Sequence, residues 1–281
     1  MTTFKELGLS DRILSQLDTQ GLITPTPIQE QAIPLVLEGR DVMGLAQTGT
    51  GKTAAFGLPL VHKLMKVGQK PAPKTVRALI LAPTRELVNQ IGEHLNAYTK
   101  NTHLKVGIIV GGVSIRPQIE RAARGTDIII ATPGRLIDLL DRHALSLSET
   151  NYLVLDEADQ MLDLGFVHAL RKIATLLATP RQTLLFSATM PKLMAEISAS
   201  YLNDPVRVQV SPPGKAADKI TQSVHFVAQA EKLNLLKEYL EKHRGEQALV
   251  FLRTKHGAEK LMKNIDASGF KAASIHGNKN L

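Results

Sequence analysis

Six short, unbroken apolar runs recur along the first two thirds of the chain, separated by segments of helical period. The runs are Val42–Ala46, Ala78–Ala82, Val106–Val110, Asp127–Ala131, Tyr152–Leu155 and Thr183–Ser187. A strand with one wet face alternates polar and apolar residues, whereas a strand covered on both faces does not. These runs therefore read as central strands. Segments such as Arg85–Lys100 and Phe166–Ala178 read as amphipathic helices laid over them. Strand–helix alternation of this kind predicts an α/β fold built on a doubly wound parallel sheet.

The pattern breaks at Asp204-Pro205 and again at Ser211-Pro212-Pro213-Gly214-Lys215. Clustered breakers mark a linker, so the reading is a first domain over 1–205, a linker over 206–218 and a second unit over 219–281. The second unit offers strands Val224–Val227, Ala248–Leu252 and Ala272–Ile275, with helices Glu231–His243 and Lys255–Ser268 between them. Three strands are few for a free-standing doubly wound domain, so 219–281 reads as part of one. The 281 residues suit this division, at roughly 150 residues per domain.

Composition removes several function classes. The chain has no cysteine, which excludes disulfides, thiolate metal sites and cysteine nucleophiles. No apolar run reaches the roughly 20 residues that a membrane-spanning helix needs. The opening MTTFKELGLSDRILSQLDTQ has no signal-peptide core, so a cytoplasmic protein is the expectation. The nine histidines form no HExxH or similar metal pattern. Net charge is +8; residues 1–205 carry 21 basic and 19 acidic side chains, and residues 206–281 carry 13 and 7. A basic balance suits a polyanionic partner as well as mere solubility.

Two motifs carry chemistry. The segment from Ala46 through Gln47, Thr48, Gly49, Thr50 and Gly51 to Lys52 and Thr53 follows a strand and opens a helix. In that setting backbone amides close on phosphate oxygens, Lys52 supplies a cation, and the Thr53 hydroxyl can ligate Mg²⁺. Alanine stands at position 46, where the generic phosphate-loop pattern has its first glycine. The second motif is Asp156-Glu157-Ala158-Asp159, delivered by an apolar strand at its C-terminal end. Such ends are where doubly wound sheets bind ligands. Asp156 is suited to hold Mg²⁺ and Glu157 to polarise a water, although acids there also serve as helix caps.

These segments form part of a longer ordered set. Phe4, PTPIQ at 25–29, AQTGTGKT at 46–53, PTREL at 83–87, Gly111-Gly112, TPGR at 132–135, DEAD at 156–159 and Ser187-Ala188-Thr189 follow one another along the chain. The set resembles the DEAD-box ATP-dependent RNA helicases, most nearly the bacterial RhlE-type branch. The resemblance implies RecA-like domains of the P-loop NTPase class, with ATP and Mg²⁺ as cofactors. It also implies RNA-stimulated ATP hydrolysis coupled to local duplex unwinding, by a chain expected to be monomeric.

By the same resemblance Gln29 reads the adenine edge, and Phe4 lies beside the adenine pocket; Pro25-Thr26-Pro27 also reads as a plain helix start with Thr26 as N-cap and Pro27 as the first helical residue, and a core role for Phe4 remains open. Pro83, Thr84, Arg85, Gly111, Gly112, Thr132, Pro133, Gly134 and Arg135 would grip one RNA strand through its backbone, so binding would be largely independent of base sequence. Asp159, Ser187 and Thr189 would couple the nucleotide site to RNA. Position 22, often aromatic in the family, is Leu22. Val250–Thr254 and His276-Gly277 match the start of a second RecA-like domain, while the QxxR, DxxxRGxD and HRxGRxxR segments that follow in the family's second domain do not occur in residues 219–281. The expectation is a chain truncated within its second domain and weak in catalysis by itself. A non-catalytic nucleic-acid-binding protein and a P-loop ATPase acting on DNA are the alternatives.

Overall fold

Each of the six apolar runs becomes a strand of one parallel sheet. The strands are β1 (Val42–Leu45), β2 (Val76–Leu81), β3 (Val106–Ile109), β4 (Thr126–Ala131), β5 (Tyr152–Leu155), β6 (Gln182–Ser187) and β7 (Val206–Gln209). Their order is β3-β4-β2-β5-β6-β1-β7, and every pairing is parallel. The structure is a computed structural model that describes residues 2–210 and 221–277. It contains two compact units, Met1–Ala216 and Ala217–Leu281.

The continuous runs are explained by burial on both faces. Successive side chains of a strand point to opposite sides. Along β4, Ile128 and Ile130 join one core cluster while Ile129 and Ala131 join another. The first cluster lies under α1 (Asp11–Thr19), α2 (Pro27–Leu37), α3 (Lys52–Leu64) and α4 (Arg85–Tyr98). The second lies under α5 (Arg116–Ala122), α6 (Pro133–Asp141), α7 (Ala158–Asp163), α8 (Val167–Leu176) and α9 (Lys192–Tyr201). Truncating a core residue such as Ile130 to alanine would cost roughly 2–5 kcal/mol.

The segment 206–218, expected as a linker, begins instead with β7. This strand escaped notice because only one of its four residues, Val208, is buried. That pattern belongs to an edge strand with one covered face, not to a central one. Asp41 holds it in place. The Asp41 carboxylate accepts the amides of Thr183 and Asn203, both at 2.7 Å, and its carbonyl accepts the amide of Val206 at 2.8 Å. The remainder of the expected linker, 211–218, lies outside the described residues.

In the second unit the described residues form two helices, α10 (Lys232–Lys242) and α11 (Lys255–Asp266), and no strand. The expected strands at 224–227, 248–252 and 272–275 make no ladder. A helix closes its hydrogen bonds within itself, whereas a strand needs a neighbour. Phe226, Leu249, Phe251 and Ile275 are accordingly exposed.

Candidate active site

Parallel strands all end on one edge, and the strand order sorts the loops that leave it. The adjacent strands β3, β4 and β2 carry Gly111-Gly112, Thr132–Arg135 and Pro83–Arg85 beyond their C-terminal ends. The adjacent strands β5, β6 and β1 carry Asp156–Asp159, Ser187–Thr189 and Ala46–Thr53. One half of the edge thus collects the candidate phosphate loop, acids and coupling segment. The other half collects the loops rich in hydroxyls, glycine and arginine.

The phosphate loop turns into α3 at Gly51, whose φ of 89° lies in the left-handed region that favours glycine. A Cβ there would also run into the Gln29 carboxamide. Two residues at the start of α2 brace the loop. Thr26 Oγ1 donates to the Thr50 carbonyl at 2.8 Å, and Gln29 Nε2 donates to the Gly51 carbonyl at 3.0 Å. Gln29 Oε1 also accepts the Thr26 amide at 2.9 Å. Gln29 therefore does cap its helix, and it is only 6% exposed. Its carboxamide retains one N–H and one acceptor position for a further partner.

Lys52 opens α3 with its ammonium turned inward, at 6% exposure. Its Nζ donates to the Ala46 carbonyl at 3.3 Å and stands 3.9 Å from Asp156 Oδ1. Asp156, 2% exposed, follows the last residue of β5. Burial raises its pKa to about 6, against the opposing pull of the Lys52 charge, with the neighbouring Glu157 charge raising it further. A buried carboxylate so incompletely compensated is a place where a cation is favourable. Thr53, half-buried, follows Lys52 on the first turn of α3.

Glu157 takes a left-handed conformation, φ 50° and ψ 50°, which is rare for a residue with a side chain and marks stored strain. The turn is held from both sides. The Glu157 amide donates to Asp156 Oδ1 at 3.0 Å, and Glu157 Oε1 accepts the Thr48 hydroxyl at 2.9 Å. Asp159 faces the end of β6: its Oδ2 accepts the amide and the hydroxyl of Thr189 at 2.9 and 2.8 Å. Ser187 Oγ donates to the Thr189 carbonyl at 2.7 Å.

On the other half of the edge, Thr84 caps α4 by accepting the Leu87 amide at 3.2 Å. Thr132 stands at the cap position of α6 with Pro133 as the first residue of that helix. Pro83 and Thr132 are buried, while Arg85, Gly112 and Gly134 are exposed. Two arginines tie the three loops together. Arg85 Nη1 donates to the Gly111 carbonyl at 3.4 Å, and Arg135 Nη1 donates to the Val113 carbonyl at 3.0 Å. Gly112 lies against the Arg85 guanidinium so closely that a Cβ would overlap it.

The DEAD/DEAH box helicase family matches residues 26–197, which span the phosphate loop, the acids, the coupling segment and all three loops of the other half. The chain belongs to this family. It is 41% identical over 274 residues, 98% of its length, to the DEAD-box ATP-dependent RNA helicase CshA of Streptococcus pneumoniae serotype 4, of which it covers 51%. It is 42% identical over 277 residues, 99% of its length, to the ATP-dependent RNA helicase CshA of Listeria monocytogenes, of which it covers 52%. The chain spans about half the length of the curated relatives it matches. Among solved structures, a DEAD box protein from the hyperthermophile Methanococcus jannaschii aligns with a TM-score of 0.68 and 36% identity, over 100% of this chain and 74% of that one.

Within this DEAD/DEAH box domain the fold brings the sequence-predicted residues together, with one qualification of place. Phe4 is buried in the core cluster under α1–α4, packed with the apolar residues of its own segment. Sequence reasoning missed the Thr48–Glu157 hydrogen bond, which joins residues 109 apart. It also missed Gln118, a buried glutamine on α5 that no motif flags. A cavity of about 1200 Å³ lies in the second unit, far from these motifs in sequence. It is bounded by α10, α11 and the apolar segments that make no ladder.

Proposed function

We propose that the chain is the ATP- and RNA-binding part of an ATP-dependent RNA helicase, cytoplasmic and monomeric. ATP binds with its phosphates in the Ala46–Thr53 loop. The amides of that loop and the Lys52 ammonium take the phosphate oxygens, and the free edge of the Gln29 carboxamide reads the base. Thr53 and Asp156 would hold Mg²⁺, which suits a metal that keeps much of its water and takes few protein oxygens. When bound, the metal would neutralise phosphate charge. Glu157, held by Thr48 and by its own strained turn, accepts a proton from the attacking water.

One RNA strand runs along the Gly111–Gly112, Thr132–Arg135 and Pro83–Arg85 loops, held by its sugar-phosphate backbone and without regard to base sequence. Arginines, hydroxyls and helix N-termini are the donors that grip a nucleic-acid backbone. The observation that supports this reading best is the division of a single sheet edge into two adjacent halves, with Asp159 and Thr189 bonded between the ends of β5 and β6. The family's later arginine segments are not among the 281 residues, and an arginine finger is worth about 10³–10⁵ in rate. Turnover by this chain alone is therefore slow, and unwinding by it is absent.

The test combines binding and single-turnover hydrolysis of a fluorescent ATP analogue. Lys52→Ala should weaken binding by roughly tenfold or more, the loss of one charge-assisted partner. Glu157→Gln should bind as the parent does and lose its slow hydrolysis. Equal affinity in Lys52→Ala, or undiminished hydrolysis in Glu157→Gln, would refute the assignment.

A further inference from the structure

Strand β3 is the outermost strand on its side of the sheet. Its backbone groups point alternately toward β4 and away from it. Ile109 faces inward, its carbonyl accepting the Thr132 amide at 3.1 Å. The next residue, Val110, therefore turns its amide and carbonyl outward, where no strand lies. Val110 is nevertheless buried, and a buried backbone pair without partners costs about as much as the hydrogen bonds it fails to make.

Gln118 supplies both partners. Its Oε1 accepts the Val110 amide at 3.1 Å, and its Nε2 donates to the Val110 carbonyl at 3.1 Å. The second Nε2 hydrogen goes to the Ser114 carbonyl, also at 3.1 Å. The carboxamide thus mimics a neighbouring strand, uses both donors, and is 8% exposed. It closes residues 110–118 into a ring with its base at Val110 and one flank at Ser114. The apex is Gly111-Gly112-Val113, and its Gly111 and Val113 carbonyls are the anchors of Arg85 and Arg135.

We propose that Gln118 is the positioning residue of the RNA-gripping rim: its carboxamide fixes the 110–118 ring, and the ring's carbonyls aim the Arg85 and Arg135 guanidiniums at one RNA backbone. Gln118 itself touches no RNA. Arg85 spends one N–H on its anchor; Arg135 spends one on its anchor and also turns its Nε toward Asp138 Oδ2 at 3.8 Å. Each keeps further N–H groups for phosphate. Without the anchors, Arg85 regains rotamer freedom that must be surrendered again on binding, and Arg135 is left with its Asp138 contact alone. The inference rests on the RNA reading of these loops, and the test separates the two.

The experiment measures binding of a fluorescein-labelled single-stranded RNA to the 281-residue chain over a salt series, with a fluorescent ATP analogue as the second ligand. Gln118→Leu should weaken RNA binding at least about fivefold and flatten the salt dependence, by roughly 0.7 in slope for each phosphate no longer held. Its affinity for the ATP analogue should stay within about twofold of the parent, as the two sites occupy different halves of the edge. A folded Gln118→Leu with the parent's RNA affinity, or weaker binding with an unaltered salt slope, overturns the proposal.

Arg85→Ala and Arg135→Ala serve as the reference arm. If they weaken RNA binding and Gln118→Leu does not, Gln118 is wrongly assigned. If neither arginine variant weakens it, the RNA reading fails. Gln118→Glu guards against a leucine variant that does not fold. An ionised carboxylate faces the Val110 and Ser114 carbonyls unfavourably, but a protonated one donates to one carbonyl and accepts the Val110 amide. Its RNA deficit relative to the parent at the same pH should shrink as pH falls. A deficit absent at every pH, or constant across pH, contradicts the mechanism.

Discussion

Asp159 and Thr189, 30 residues apart in sequence, are joined twice: Asp159 Oδ2 accepts both the Thr189 amide and the Thr189 hydroxyl, at 2.9 and 2.8 Å. The pair links the loop that carries Asp156 and Glu157 to the end of β6. In the proposed function this pair is the path by which the nucleotide loop would reach the segment leading to α9. That linkage joins two loops rather than a loop and a ligand, so removing it should separate activities instead of abolishing one.

Thr189→Val keeps the side-chain shape and the amide bond but removes the hydroxyl donor. Binding of the ATP analogue should change by less than about twofold. The effect of that analogue on RNA affinity should diminish, by an amount set by one hydrogen bond to a charged acceptor, about 1.5–3 kcal/mol at most. Titrating RNA with and without the analogue checks this, and an unchanged difference between the two titrations removes Thr189 from the coupling.

Gln29→Ala should weaken adenine nucleotides more than guanine nucleotides, by about 1–3 kcal/mol for the unpaired base edge. It should also lower thermal stability somewhat, because the carboxamide caps α2 and braces Gly51. Competition of ATP and GTP against the fluorescent analogue measures the first effect. Equal losses for the two bases would leave Gln29 with the bracing role alone.

The pKa of Asp156, raised to about 6 by burial, makes stability depend on pH. The folded chain holds this proton up to about pH 6, while the unfolded chain releases it near the ordinary value of 3.8. Stability from this group is therefore present at low pH and is lost as pH rises from about 4 through 6. His62 acts in the opposite sense. Burial, aided by Lys66 and Lys63, lowers its pKa, so its contribution is lost as pH falls below about 6.5. Asp156→Asn isolates the carboxyl. In thermal unfolding of the ligand-free protein between about pH 4.5 and about pH 7.5, the parent should lose stability relative to Asp156→Asn as pH rises. Parallel curves for the two proteins would show that Asp156 is not perturbed by its burial.

The legible part of this protein was the part in which one local rule dominates. Ile128–Ala131 announces a strand buried on both faces because both core clusters draw on it, and the AQTGTGKT segment needs no tertiary knowledge to be placed between a strand and a helix. Val206–Gln209 was hidden because an edge strand with one covered residue looks like the polar turn before it, and what pins it, Asp41 and the β1 ladder, lies far upstream. Ala248–Leu252 reads as a strand yet makes no ladder, since apolarity creates a strand only where a partner accepts its hydrogen bonds. The Thr48–Glu157 and Gln118–Val110 hydrogen bonds join polar groups that periodicity does not register. Phe4 is buried in the first core cluster, one of the two roles its sequence position left open.

The central claim is that one edge of one sheet binds ATP on its β5–β6–β1 half and RNA on its β3–β4–β2 half. Amide chemical-shift mapping of the 281-residue protein tests it directly, with Mg·ATP and a short single-stranded RNA added separately. The account predicts that the nucleotide shifts amides of residues 46–53 and 156–159. It predicts that RNA shifts those of 84–87, 111–114 and 134–135, and that Asp159 and Thr189 respond to both. RNA shifts confined to the second unit, or a nucleotide that leaves the 46–53 amides unmoved, would contradict it.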